Sequence, residues 1–321
     1  MLTRRLAFGA LAGMIAAPAA WAQSFPSRSI SIVVPYPAGG PVDTVARLIA
    51  QSVTGLGRPI VVDNRGGGSG MIGTAAVARA EPDGHTLVLG TNQTHATNQS
   101  LLKNCPYDAV RDFAPVAGIA DIPHALVVRR RLEADNVAAL IALAKKTPGA
   151  MNYGSTGNGS ASHLAAELFK LKAGVDLLHV PFRGAAPMTT ELLAGRIDMT
   201  FVTLPTVISY ISAGVLRALA VASPKRAPRL PDVPTLAEAG VAGVEADAWF
   251  ALFAPAGTPQ AVLDQLHRAV SAGLSSEAAS KTIAAQGMTL ALRPPAEVAA
   301  WLPAEVTKWA AVIKAAGVAV D

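Results

Sequence analysis

The residues best placed to do chemistry in this chain act through their backbone. Between Val34 and Val45 the sequence reads P-Y-P-A-G-G-P-V-D-T. Gly39 and Gly40 carry no side chain that would keep a ligand off their amides. Pro41 has the fixed φ of a first helical position, and Val45, Leu48 and Ile49 supply an apolar helical stripe. A helix starting here leaves its first N–H groups unpaired beside the positive end of its dipole, so a carboxylate or phosphate is the natural occupant. Asp43 stands at the third helical position. Capping those free amides suits it better than ligand contact, because its charge repels an anion. A second small-residue loop, Gly154–Gly159, leads into Ser160, a good N-cap for a helix over 161–172. Facing each other across a cleft, the two loops would grip both ends of a dianion. Arg183, between a strand and a helix, would either pair with a carboxylate or stay solvated.

Other motifs lead to weaker chemistry. Gly68-x-Gly70-x-x-Gly73 matches a dinucleotide fingerprint. It is not on the first strand, however, and the next strand ends Leu89-Gly90-Thr91-Asn92 without an acid for a ribose. A tight turn with close helix–strand packing is the reading preferred, and no cofactor is expected. The Ser155 and Ser69 surroundings each miss one glycine of a nucleophile elbow. Histidines 85, 95, 124, 163, 179 and 267 show no paired ligand spacing, so no metal site is expected. His163, three residues after Ser160, reads as a capping or surface residue. Cys105 is the sole cysteine, which excludes an internal disulfide.

The elements that must position these loops follow from pattern. Residues 1–22 have two arginines, an uncharged apolar stretch and Ala20-Trp21-Ala22, the layout of a cleaved export signal. Thr3-Arg4-Arg5 hints at twin-arginine export, with ordinary secretion preferred. Without this segment the formal charge of +5 becomes +3, and the scattered basic residues exclude a nucleic-acid footprint. The remaining length and a 51% hydrophobic content suffice for two α/β lobes. Strands are expected at 30–34, 59–63 and 86–90 with helices between them, forming parallel βαβ units. Thr91 to His95 would then lie just past a strand's carboxyl end, where open sheets bind ligands. Extended segments at 113–120 and 125–128 mark a crossing into a second α/β repeat. A strand at 249–254 marks the return, followed by helices near 259–273, 276–286 and 295–316.

Longer strings now carry a resemblance. P-Y-P-A-G-G-P-V-D at 35–43, D-N-R-G-G-G-S-G-M-I-G at 63–73 and P-D-G-H-T-L-V-L-G-T-N at 82–92 resemble the Bug-type periplasmic solute-binding proteins, receptors of tripartite tricarboxylate transporters. N-Y-G-S-T-G-N-G-S-A-S-H at 152–163, V-P-F-R-G-A-A-P at 180–187 and W-F-A-L-F-A-P-A-G-T-P at 249–259 are similar to the same family. The resemblance runs in order through nearly the whole chain after residue 22.

It implies a two-lobed periplasmic binding protein of type II, each lobe a mostly parallel sheet flanked by helices. One lobe would be 23–120 plus 238–321, the other 121–237. It implies a small carboxylate ligand, no catalysis and no cofactor. The family's contact positions fall here on Tyr36, Ala38, Gly39, Gly40 and Asp43 in one lobe, and on Ser155, Thr156, Gly157, Asn158 and Ser160 in the other. Thr91, Asn92 and Thr94 match a further contact loop, as do Phe182, Arg183 and Gly184. Thr203 stands in V-T-L-P where the family often has D-N-L-P, and Asp247 is pocket-proximal by resemblance. The expected partners are the large and small membrane subunits of the transporter or, alternatively, a sensor kinase, served by a monomer in the periplasm. The reading from another class is a secreted NAD-dependent or hydrolytic enzyme. Valine at Gly39 or Gly40 is expected to abolish binding with the fold intact.

Overall fold

The computed structural model describes residues 25–319, so the export segment expected over 1–22 lies outside the described residues. The chain opens with the expected repeat. Strand β1 (Ile30–Val34) is followed by helix α1 (Pro41–Ser52), β2 (Ile60–Asn64), α2 (Met71–Ala78) and β3 (Thr86–Thr91). Ile30, Ile32, Val33 and Val34 are all buried, which a central strand covered on both faces requires. β1 pairs in parallel with β2 on one side and β3 on the other. After β3 the chain makes a π-helical turn, Gln93–Thr97, that runs into the short α3 (Asn98–Leu101). Strand β4 (Phe113–Ile122) then leads to Pro123, where the chain leaves the first sheet.

The second sheet is built from β5 (His124–Arg129), β6 (Asn152–Ser155), β7 (Leu178–Pro181), β8 (Met199–Thr203) and β9 (Leu216–Val221). Helices α4 (Val137–Lys146), α5 (Ala161–Ala173), α6 (Ala185–Leu193) and α7 (Leu204–Ser212) alternate with them. The chain returns through residues 222–247 to β10 (Ala248–Pro255), α8 (Gln260–Leu274), α9 (Glu277–Ala285), the two-residue β11 (Thr289–Leu290) and the long α10 (Pro295–Ala316).

Strand order is β11-β4-β10-β3-β1-β2 in the first sheet and β7-β6-β8-β5-β9 in the second. The βαβ halves are parallel, as expected. Both sheets are nevertheless mixed, a correction to the mostly parallel sheets anticipated. The returning strand β10 runs antiparallel between β3 and β4, and β5 runs antiparallel between β8 and β9. The cause is topological. A strand that arrives from the other lobe enters from the opposite end of the sheet, and no crossover helix precedes it to force parallel pairing.

One apolar cluster spans both lobes. It joins Val33, Val88 and Phe253 of the first to Leu126, Tyr153 and Phe201 of the second through Val298, Trp309 and Ile313 of α10. The segment following α10 also reaches the second lobe's loop, where the Asn158 side-chain amide donates to the carbonyl of Ala319 at 2.8 Å. No helix among the described residues is long and apolar enough to cross a membrane.

Candidate ligand-binding cleft

The two small-residue loops face one cavity of about 620 Å³ between the lobes. Residues 36–42 line one side, Thr91, Asn92, Gln93 and Phe250 form the floor, and Thr156, Ser160 and Ala161 line the other side. Among the described residues no charged side chain lines it. An anion entering there must be met by neutral donors.

The first loop supplies them. Gly40, with φ −82° and ψ 173°, is the N-cap of α1. The first intrahelical bond runs from Thr44 N–H to the Gly40 carbonyl at 3.0 Å. The amides of Gly40, Val42 and Asp43 therefore precede the helical ladder and have no partner within it, while Pro41 brings none. Asp43 works from behind this loop. Its Oδ2 accepts from the Gly39 amide at 2.9 Å and from Arg47 Nε at 2.9 Å, and its Oδ1 accepts from Asn64 Nδ2 at 3.0 Å. The Arg47 guanidinium holds this carboxyl at about 2, below the usual carboxylate range. A structural role rather than ligand contact is what the structure shows, but with a different partner from the one expected: Asp43 takes the Gly39 amide just before the N-cap, not the helix's own first amides. Only Gly40 of the pair keeps its N–H for a ligand.

The floor is a hydroxyl network resting on an aromatic stack. Tyr36 donates to Gln93 Oε1 at 3.0 Å and lies 2.9 Å from Thr91 Oγ1. Burial pushes its phenol up to about 12, so it remains a neutral donor. The Thr91 amide donates to Thr94 Oγ1 at 3.0 Å, which lies 2.9 Å from His95 Nδ1. The His95 ring is stacked on Phe253 at 4.1 Å and 7°. Burial brings His95 down to about 3, which keeps the stack uncharged. This bracing explains the π-helical turn. The wider turn sets Thr94 and His95 beneath the floor while Gln93 faces the cleft.

In the second lobe Ser160 caps α5, its Oγ accepting from the His163 amide at 3.3 Å. The Thr156 amide donates to Ser162 Oγ at 2.8 Å, and their hydroxyls lie 3.1 Å apart. Thr156 and Ser160 thus present hydroxyls whose orientation is fixed from behind by Ser162.

Of the residues expected at the site, Tyr36, Ala38, Gly39, Gly40, Thr91, Asn92, Thr156 and Ser160 meet at this cavity. The others do not line it, each for a physical reason. Asp43 and Thr94 are buried behind it. Ser155 is fully buried, 2.7 Å from His179 Nε2. Gly157 gives its amide to Ser155 Oγ at 3.2 Å, and Asn158 turns toward α10. Phe182 packs into the second lobe's own core, Arg183 is exposed, and the Gly184 amide donates to the Thr156 carbonyl at 3.2 Å. Thr203, at the N-cap of α7, bonds Thr206 at 3.0 Å. Asp247 lies in separate cavities near the crossings with Asp121 and Arg293, its Oδ1 accepting from Ser223 Oγ at 2.5 Å.

Gln93, Phe250, Val42 and Ala161 were missed, as were the lining prolines Pro37 and Pro41. For Phe250 the sequence carried only part of the signal: strand alternation fixes the residues that share its face, while its place opposite Thr91 comes from the long-range β10–β3 pairing. The glycine fingerprint is packing. A Cβ at Gly73 would sit 2.6 Å from the Arg65 carbonyl oxygen, and one at Gly70 2.6 Å from Thr94 Cγ2. Among the described residues no group of His, Cys, Asp and Glu is arranged to hold a metal.

A family model described as "Tripartite tricarboxylate transporter family receptor" matches residues 45–318. The chain belongs to this receptor family. It is 38% identical over 322 residues to protein BugT of Bordetella pertussis, covering 98% of each chain. Its fold matches that of R. palustris Rpa4515, solved with adipate, at a TM-score of 0.76 and 38% identity over 92% of this chain and 100% of the other. It also matches MatC from Rhodopseudomonas palustris, solved with bound malate, at a TM-score of 0.73 and 33% identity over 90% and 100%. This family consists of solute-binding receptors with the two-lobed periplasmic binding fold, so the protein is a receptor and not an enzyme.

Proposed function

We propose that the protein is an exported receptor that closes its lobes on a small carboxylate in the periplasm and delivers it, unaltered, to the membrane subunits of a tripartite transporter. One observation carries this reading: the start of α1, where Gly40 and Val42 line the cavity with amides outside the helical ladder, faces the capped start of α5, and among the described residues no charged side chain lines the space between them. Two positive dipole ends meet there.

In this reading the amides of Gly40, Val42 and Asp43 take one carboxylate. The hydroxyls of Thr156 and Ser160 approach from the other lobe, and Tyr36, Thr91, Asn92 and Gln93 set the floor. The magnitudes agree. Three hydrogen bonds to a charged group contribute about 5–9 kcal/mol net, and micromolar binding needs about 8 kcal/mol. The relatives solved with adipate and malate support a linear dicarboxylate, because a chain of that kind places a charge at each dipole end.

The test is a thermal-shift screen of the mature protein against mono-, di- and tricarboxylic acids, including adipate and malate. A selective shift with a linear diacid is the expected result. No shift with any carboxylic acid, or chemical conversion of the added acid, rules the reading out.

A further inference from the structure

Beneath the second lobe's loop lies a stacked imidazole pair that the receptor reading does not use. The His163 ring lies 3.8 Å from that of His179 with 10° between the planes, and His179 stacks in turn on Tyr153 at 4.9 Å and 17°. Both imidazoles address the loop backbone. His163 Nδ1 accepts the Gly159 amide at 3.0 Å. His179 Nε2 lies 2.7 Å from Ser155 Oγ, which accepts the Gly157 amide at 3.2 Å. Gly157 and Gly159 have φ of 139° and 71°, so alternate amides are turned inward by backbone that favours glycine.

The Gly159 contact fixes a proton. An N–H pointing at Nδ1 requires that nitrogen to be bare, so the ring proton sits on Nε2. Nε2 lies 4.0 Å from Glu167 Oε1, which also takes the Tyr153 hydroxyl and Lys170 Nζ at 2.8 Å. The charged or titratable groups around His163 are therefore Glu167 and Lys170 on α5, His179 on β7 and Tyr153 on β6. Burial, reinforced by the neighbouring His179, brings His163 down to about 4.

We propose that His163, supported by the stacked His179, is a positioning residue: its neutral imidazole holds the Gly159 amide and thereby the orientation of the second lobe's loop, and a proton on Nδ1 releases that loop and weakens ligand binding. The coupling to affinity rests on the receptor reading above. The coupling of ring to loop does not.

The experiment has two arms. In the ¹⁵N-labelled protein without ligand, long-range histidine spectra, assigned against His163→Asn, are recorded with the glycine amide resonances as pH falls. The expected result is the Nε2–H tautomer near neutrality, with the Gly159 amide moving at the midpoint of the His163 ring. The Nδ1–H tautomer, or a Gly159 amide indifferent to the ring, overturns the proposal.

The second arm measures adipate binding by the parent, His163→Asn and His163→Leu at matched pH, so that protonation of the acid itself cancels. Asparagine keeps an acceptor near Nδ1 that does not titrate, while leucine removes the acceptor. Below the ring's midpoint the parent should lose affinity up to about tenfold per pH unit faster than His163→Asn. His163→Leu should be weakened roughly tenfold or more even near neutrality. Parallel pH profiles for the parent and His163→Asn also overturn the proposal. If adipate binds at no pH, the choice of diacid fails and the spectra alone decide the role of His163.

Discussion

Replacing Gly40 by valine separates binding from folding. Gly40 has φ −82°, an ordinary value for any residue, and an added Cβ would meet only the Pro37 carbonyl oxygen at 3.8 Å. The fold should tolerate the change at a cost of about 1 kcal/mol, because valine is a poorer N-cap residue than glycine. The branched side chain, however, stands at a position that lines the cleft beside the free amides of α1. Displacing a carboxylate from two of its three amides removes about 3–6 kcal/mol, a loss of roughly 10²–10⁴ in affinity. A ligand at 100 times its Kd stabilises by about 2.7 kcal/mol, a melting shift of roughly 5 °C for a protein of this size. The parent should show that shift and Gly40→Val essentially none, with the variant's ligand-free melting temperature lower by only about 2–4 °C. A variant that keeps the parent's shift refutes the role given to these amides. Gly39→Val is the wrong partner experiment, contrary to the expectation from sequence. At φ +87° a β-branched residue is strained, so lost binding there would not separate the site from the fold.

Three further outcomes follow from the site and its supports. Asp43→Asn should lower the melting temperature near neutrality by roughly 1–2 kcal/mol of stability, typical of a lost cap. Because the folded carboxyl titrates at about 2, its contribution is lost as pH falls from about 4 through 2, and parent and variant should converge in acid. Asp247 behaves in the opposite sense. Burial raises its carboxyl to about 7, so its contribution falls as pH rises from about 4 to 7, and Asp247→Asn should gain on the parent across that interval in denaturant titrations. Gly73→Ala should cost about 1–3 kcal/mol in chemical unfolding through the 2.6 Å approach to the Arg65 carbonyl oxygen, and the parent should bind no dinucleotide in a fluorescence titration.

The first jaw was legible because its signal is local. Pro41, the two glycines and Asp43 lie within one turn, and the loop is braced by Asp43 through the Gly39 amide and its i+4 neighbour Arg47. The βαβ halves were legible for the same reason, through apolar period and turn residues. Facts set by distant pairing were not. The antiparallel entry of β10 between β3 and β4 joins residues well over a hundred positions apart, and no periodicity records it. Asp247 is placed near the pocket by resemblance and Thr203 at a position where the chain departs from the family string, yet their side chains pair with Ser223 and Thr206 outside the cleft. Ser155 looked like a ligand contact and His163 like a capping or surface residue. Their neighbour is His179, on another strand, and that pairing turns both into supports beneath the loop.

The central claim is that unpaired amides at the start of α1 hold a carboxylate opposite the capped start of α5. A crystal structure with the most stabilising diacid from the screen tests it most directly. The account predicts one carboxylate within hydrogen-bonding distance of the Gly40, Val42 and Asp43 amides, with Thr156 and Ser160 reaching the ligand from the other lobe. A ligand held elsewhere, or anchored by an ion pair to an arginine or lysine, would contradict it.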